Sequence, residues 1–314
     1  MENRESAVVI HARNILDQVR KAVVGKDTVL LWVLAAILAK GHILLEDIPG
    51  VGKTTMALAF SRALGLQYNR VQFNPDVLPS DVTGYSVLDQ TTGQMTYRPG
   101  AVLCNLFLAD ELNRATSRTQ SALLEAMEEG QVTVDGISHP LPALFTVIAT
   151  QNPTGAAGTQ LLPDSQMDRF MIRLSLGYPE PKDEVQMLLR RQGKEPLAQV
   201  EPVIGIREME MLQQEVARTH VSEEIAQYVV KLVDATRRSD RLLRGGSPRA
   251  TLAVVSLAKA VAQLNGRDYV VPRDVQEVFT CTVAHRVQAA PGQSESAEQI
   301  LWELLGKVRA PKLR

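Results

Sequence analysis

Hydrophobic and polar positions change rhythm twice along this chain. Residues 5–22 set Val8, Val9, Ala12, Ile15, Leu16 and Val19 on one side, the three-and-four spacing of an amphipathic helix. Val23-Val24-Gly25 interrupts it, and Asp27 stands where it would cap a helix over 28–39. From 42 to about 176, short apolar runs at 43–45, 71–73, 106–109, 145–149 and 171–174 alternate with helical segments. Such runs, lacking polar alternation, predict strands buried on both faces and so a parallel sheet covered by helices. Two stretches break the rhythm: 84–98 alternates around Thr92-Gly93 and 130–142 around Asp135-Gly136, each predicting a β-hairpin. Beyond a break at 177–181 the chain reads as helices over 182–191, 208–218, 223–238, 248–264, 273–286 and 296–307. Pro272 stands where a first helical turn tolerates proline. The expected organisation is an α/β domain over 1–181 with two hairpin inserts, then an all-helical domain over 182–314.

The strongest chemical signal lies where the first apolar run turns into its helix, at 42–55, HILLEDIPGVGKTT. A buried strand, a Pro49-Gly50-Val51-Gly52 turn and Lys53-Thr54-Thr55 together make the layout of a phosphate-binding loop. Such a turn aims successive backbone N–H groups at an anion, and the helix dipole adds partial positive charge. Lys53 would reach the β- and γ-phosphates of a nucleotide and the Thr54 hydroxyl would hold Mg²⁺. One departure from G-x-x-x-x-G-K-[ST] is Asp47 at the first glycine position.

About sixty residues on, Leu106-Phe107-Leu108-Ala109 ends in Asp110-Glu111. A buried strand ending in adjacent carboxylates suits Mg²⁺ binding by Asp110 and orientation of an attacking water by Glu111. The strand at 145–149 ends in Thr150-Gln151-Asn152-Pro153, where Asn152 either helps to place the water or forms a turn before proline. Ser247 is placed to cap a helix whose first turn carries Arg249, a cation at the positive helix end. A nearby anion would explain it, and so would a side chain pointing to solvent.

Composition narrows the remaining classes. With 314 residues, 45% hydrophobic and 22% charged, the chain has room for about two soluble domains. Its net charge of −1 supplies no global field for nucleic acid or anionic lipid. Aromatics are 4%, so base stacking is not a theme. Cys104 and Cys281 have no metal or disulfide spacing, and His11, His42, His139, His220 and His285 read as structural or surface residues. The N-terminus lacks a signal-peptide plan and no apolar run spans a bilayer, which points to the cytoplasm. Glu125, Glu128 and Glu129 read as a solvated acidic helix end. Arg237, Arg238, Arg241, Arg244 and Arg249 form a basic cluster suited to a nucleotide, a neighbouring subunit or nucleic acid.

Taken together, EDIPGVGKT (46–54), RPGAVLCNLFLADELNRA (98–115), TQSALLEAMEEGQVTVDG (119–136), FTVIATQNP (145–153), LPDSQMDRF (162–170) and GSPRA (246–250) resemble the AAA+ superfamily and, within it, the MoxR-type ATPases. The resemblance runs from about Val23 to about Arg286 and implies an α/β P-loop core followed by an all-α lid. It implies that Val24 and Gly25 lie against adenine and that Pro49, Gly50, Val51, Gly52, Lys53, Thr54 and Thr55 bind phosphates. Thr54 and Asp110 would hold Mg²⁺, Asp110-Glu111 would be the Walker B pair and Asn152 the first sensor. Arg169 is similar to an arginine finger reaching a neighbour's ATP, and Arg249 to the second sensor, in its own or a neighbour's site. Also implied are ATP and Mg²⁺ as cofactors, a ring of six subunits, hairpins lining its opening, protein clients and a partner with a von Willebrand factor A domain. A nucleic-acid motor of the minichromosome-maintenance type is the competing reading. The 130–142 hairpin, without lysine or arginine, disfavours it. A nucleotide switch without turnover is disfavoured by the presence of both Glu111 and Arg169.

Overall fold

A computed structural model describes residues 6–48, 50–91, 93–151, 162–190 and 195–312. Ser6 accepts a hydrogen bond from the Val9 N–H and starts α1 (Ala7–Ala22), followed by α2 (Asp27–Leu38). The sheet region then runs β1 (Ile43–Glu46), α3 (Lys53–Ala63), β2 (Tyr68–Gln72), α4 (Pro79–Thr83), β3 (Gly84–Leu88), β4 (Met95–Pro99), β5 (Leu106–Asp110) and α5 (Ser117–Glu129). It continues through β6 (Gln131–Val134), β7 (Ile137–Pro140), β8 (Thr146–Gln151), α6 (Asp164–Met167) and β9 (Ile172–Leu174). The remainder is α7 (Pro181–Arg190), α8 (Ile206–Arg218), α9 (Glu223–Arg237), β10 (Leu242–Arg244), α10 (Pro248–Leu264), α11 (Pro272–Val283), β11 (Gln288–Ala289) and α12 (Ala297–Lys307).

The main sheet has the order β2-β5-β8-β1-β9 with every pair parallel, so the chain leaves every strand at the same edge. The inner strands β5 and β8 are buried at every position. At the sheet edge β2 is only half-buried and reads Tyr68-Asn69-Arg70-Val71-Gln72. That polar alternation is why the apolar pattern places this strand at 71–73, three residues late.

Two apolar clusters cover the two faces of the sheet. Leu44, Phe73, Phe107, Leu123, Val147 and Phe170 belong to one. The other joins Val8, Leu34, Phe60, Val229, Leu257 and Phe279, so helices from both ends of the chain share it. Gln213 of α8 donates to the Ile37 carbonyl at 2.7 Å within that seam. Asp27 does not cap α2. Lys26 holds that position without a side-chain bond, and the Asp27 carboxylate is taken by Arg20 at 2.5 Å.

Both hairpins form. Asp135 and Gly136 have φ of 50° and 78°, the positive pair that a tight two-residue turn requires. Thr92 lies outside the described residues. Tyr97 of the first hairpin stacks on His139 of the second, ring centroids 3.7 Å apart, which ties the two together. Cys104 sits in the core, where burial pushes its thiol up to about 12.

Candidate active site

The turn after β1 takes its shape from two glycines. Gly50 (φ +88°) and Gly52 (φ +97°) occupy the left-handed region, and a Cβ on either would meet nothing within 4 Å. Backbone conformation therefore requires glycine here, and the space beside the loop is open to a ligand. Gly52 caps α3, whose first residue Lys53 is buried. Its Nζ donates to the carbonyl oxygens of Asp47 at 2.8 Å and Ile48 at 3.3 Å. Burial lowers the Lys53 pKa, opposed by Asp47, Asp110 and Glu111. Thr54 and Thr55 are half-buried in the first helical turn; Pro49 lies outside the described residues.

Asp47, the departure from the glycine pattern, has its own work. Its buried carboxylate accepts from Ser175 Oγ at 2.8 Å, from the Gly177 N–H at 3.0 Å and from the Leu176 N–H. It thereby fixes the loop that leaves β9. That loop leads to α7, which bounds a cleft of about 630 Å³ between the glycine turn and residues 21–26. Val24, Gly50, Val51, Gly52, Thr55 and Met187 line the cleft. Its volume suits a nucleotide-sized ligand. Gly25, at φ +69°, approaches α7 so closely that a Cβ would strike the Asp183 carboxylate.

Beside the turn, β5 delivers Asp110, which is buried. Its Oδ1 accepts from Thr150 Oγ1 at 2.7 Å and its Oδ2 from Arg70 at 2.7 Å. Glu111 follows at φ +56°, a strained conformation for a residue with a side chain. The Glu111 N–H donates to Thr150 Oγ1 at 2.8 Å, and Arg114 donates to its Oε2 at 2.8 Å. One threonine thus holds both carboxylate positions from the neighbouring strand. Thr150, Arg70 and Arg114 escape the motif reading, although Thr150 stands only two residues before Asn152. Asn152 itself lies outside the described residues.

Arg169 and Arg249 come together elsewhere. Arg169 Nε lies 2.9 Å from Glu128 Oε2, and Arg249 donates to Glu128 Oε1. Ser247, the cap of α10, also reaches Asp168 at 3.0 Å. Buried Arg286 donates to the Phe170 carbonyl at 2.7 Å and lies 3.2 Å from Asp168 Oδ1. Burial pushes its guanidinium down to about 10, opposed by Asp168, so it stays charged at neutral pH. Glu128 therefore supplies the anion near the start of α10, and a purely solvent-pointing Arg249 is excluded.

Register places this cluster at the far edge of the sheet. Ile172, the first residue of β9, pairs in parallel with Ile43, the first residue of β1. Met171 N–H donates to the His42 carbonyl at 2.8 Å. Arg169 thus precedes the strand starts, whereas the glycine turn follows the end of β1. The length of β1 lies between them, about 10 Å at about 3.3 Å per residue. His42 marks that edge: its Nδ1 accepts from the Val147 N–H at 3.0 Å, and Nε2 lies 3.2 Å from the Met127 carbonyl.

The basic cluster is tied up within the chain, most of it in ion pairs. Arg241 pairs with Glu295 and Glu303, Arg244 with Asp164 and Arg238 with Asp234, while Arg237 donates to the Gly246 carbonyl. Among the described residues no group of three or more histidine, cysteine or carboxylate side chains could hold a metal on protein ligands alone. No described helix is long and apolar enough to cross a membrane.

Comparison with known proteins agrees with this geometry. Residues 42–172 match the family model described as the ATPase family associated with various cellular activities (AAA), and residues 234–304 match an AAA lid domain. The chain is 43% identical over 302 residues to the uncharacterized protein YeaC of Bacillus subtilis (strain 168), covering 95% of this chain and 94% of that one. It is 38% identical to the chaperone MoxR1 of Mycobacterium tuberculosis, covering 86% of this chain and 74% of the relative. The crystal structure of a proposed ATPase from Cytophaga hutchinsonii superposes with a TM-score of 0.89 at 34% identity, covering 97% of this chain and 96% of that one.

Proposed function

The chain belongs to the MoxR family of AAA+ ATPases, and on that footing we propose that it hydrolyses ATP with Mg²⁺ in a ring, of six subunits by family resemblance. We propose further that the cycle remodels or activates protein clients, with a partner carrying a von Willebrand factor A domain. The proposed division is a nucleotide-binding core over 1–181 and a helical lid over 182–314.

The observation that carries the reading is the separation of two half-sites at opposite edges of one sheet. At one edge stand Gly50, Gly52, Lys53, Asp110 and Glu111. At the other stand Arg169 and Arg249, converged on one carboxylate. Loose phosphoryl transfer leaves negative charge on the γ-oxygens, and an arginine supplied there is worth about 10³–10⁵ in rate in well-studied cases. The Arg169 of one chain is misplaced for its own phosphates, so a second copy is needed to deliver it. The sharing of Glu128 supports Arg249 serving the same neighbour's nucleotide.

The donor set suits the cofactors. An open turn with glycines at positive φ and a buried lysine suits phosphates. The Thr54 hydroxyl and Asp110 are the hard oxygen donors that Mg²⁺ prefers beside phosphate oxygens. When bound, Mg²⁺ would neutralise charge on the phosphates. Lys53 would exchange its loop carbonyls for phosphate oxygens, Asp110 would release Arg70, and Glu111 would orient the attacking water. Asn152 would act beside it as a sensor, and Val24-Gly25 would lie against the adenine. A chaperone role is supported by the name of the mycobacterial relative. A nucleic-acid motor is disfavoured: β6 and β7 carry no lysine or arginine, and Arg238, Arg241 and Arg244 are paired within the chain.

Capture from native extract tests the reading. Glu111→Gln protein held in ATP should enrich a von Willebrand factor A protein or a client protein, and Lys53→Ala protein should not. Enrichment of nuclease-sensitive DNA instead would replace the chaperone reading with the motor.

A further inference from the structure

Helix α7 is amphipathic in an unusual sense: both of its sides are spoken for. Asp183, Met187 and Arg190, at i, i+4 and i+7, form its inner side. Asp183 abuts Gly25, and Met187 and Arg190 line the nucleotide cleft. On the opposite side Val185, Leu188 and Leu189 are 55%, 70% and 59% exposed. Single exposed leucines are ordinary, but three adjoining aliphatic side chains on a ten-residue helix form an apolar face of the kind that marks interaction surfaces.

A second apolar spot adjoins the arginine cluster. Leu252, 69% exposed, follows Arg249 by three residues and so shares its side of α10. Leu243 of β10, 62% exposed, precedes Arg244, which is paired with Asp164 at the start of α6.

We propose that these two surfaces meet: the outer face of α7 on one copy receives Leu243 and Leu252 of the next copy. The inference rests on the reading that Arg169 and Arg249 serve a neighbour's nucleotide. Its occupant follows from position. Carrying one copy's arginines to another copy's phosphates lays the arginine edge over the rim of that cleft, and α7 is the rim. The Glu128 cluster supplies charge at this contact, and the aliphatic side chains of the two copies supply the area that excludes water. The two patches differ from each other, so the contact is head to tail. Every assembled pair leaves one of each free, and association continues until the chain of copies closes.

Sedimentation velocity in ATP and Mg²⁺, in a Glu111→Gln parent that holds ATP, tests this. One variant carries Leu188→Ser with Leu189→Ser, another Leu243→Ser with Leu252→Ser, and Met211→Ser, at an exposed position of α8, is the control. Each double variant should need at least about tenfold more protein to assemble than the parent, and the control should match the parent. ATP binding by each monomer should be unchanged, showing that the cleft and fold are intact. Mixed in equal amounts, the two double variants should form dimers and nothing larger, because one intact α7 face meets one intact α10 face. A double variant assembling like the parent, or a mixture that stays monomeric, overturns the proposed contact. A parent that is itself monomeric in ATP overturns the ring reading as well, so the two failures are distinguishable.

Discussion

The two edges of the central sheet treat charge differently. At the edge where strands end, Lys53 and Asp110 are buried and their partners belong to the loop and to the next strands: carbonyls for Lys53, Thr150 and Arg70 for Asp110. At the edge where strands begin, Arg169 and Arg249 keep 28% and 46% of their side chains exposed and share one outward carboxylate. Burial suits a site that must hold its ligand within one chain, because a fixed charge in low dielectric acts strongly. Exposure suits groups that must be lent to another molecule and withdrawn. In both places charge is compensated internally, so ligand binding becomes an exchange of partners and no uncompensated buried charge has to be carried meanwhile.

That contrast can be broken most severely at its buried end. Lys53→Ala should abolish nucleotide binding, read by titration with a fluorescent nucleotide; unchanged binding would remove the phosphate-loop assignment. Next, Arg169→Ala should keep nucleotide affinity while hydrolysis falls by about 10³–10⁵, by analogy with other phosphoryl-transfer arginines. Loss of binding and turnover together would place Arg169 in its own chain's site. A smaller change sharpens the exposed end. Glu128→Gln frees both guanidiniums from an internal competitor, and the ATP concentration for half-maximal hydrolysis should fall by about two- to fivefold, the range of half-exposed ion pairs. A rise in that concentration would mean that Glu128 aligns the arginines instead of competing for them.

The smallest expected effect concerns the histidines at the strand-start edge. Burial lowers the His42 pKa to about 4 and holds His285 well below 6.5. Protonating His42 would set an N–H against the Val147 N–H that Nδ1 now accepts. As pH falls through about 6.5 the unfolded chain takes up these protons and the folded chain does not, so stability decreases from there down to about pH 4. The thermal midpoint should fall by about 2–6 °C between pH 7.5 and pH 5. His42→Gln should flatten that slope, and an unchanged slope would show that His42 does not set it.

Much of this architecture is legible in the sequence where one physical demand acts alone. Buried parallel strands must be apolar throughout, so β5 and β8 stand out, and a two-residue turn must accept positive φ, so Asp135-Gly136 stands out. Ser247 is found as a helix cap for the same reason. Where demands compete, local pattern misleads. Edge position makes β2 polar, and Arg20 takes the Asp27 side chain from its expected cap. The Walker-type residues are visible because phosphate and Mg²⁺ chemistry restrict them to a few types at fixed spacing. Their supports are not. Arg70, Thr150 and Glu128 reach Asp110, Glu111 and the two arginines only through strand register and helix placement, which no spacing in the chain encodes. Asp47 shows the converse: a residue that looks like a motif defect is a buried acceptor fixing the path to α7.

The central claim is that each hydrolytic site takes its base from one copy and its arginine from the next. Mixing Arg169→Ala with Glu111→Gln, two variants that barely hydrolyse ATP alone, tests it most directly. With random subunit exchange, followed by energy transfer between labelled copies, about a quarter of interfaces at equal mixing should combine an intact Glu111 with an intact Arg169. Steady-state hydrolysis should therefore recover to roughly that share of the unsubstituted protein's rate. Exchange without any recovery would contradict an arginine acting between copies and place Arg169 in its own chain's site.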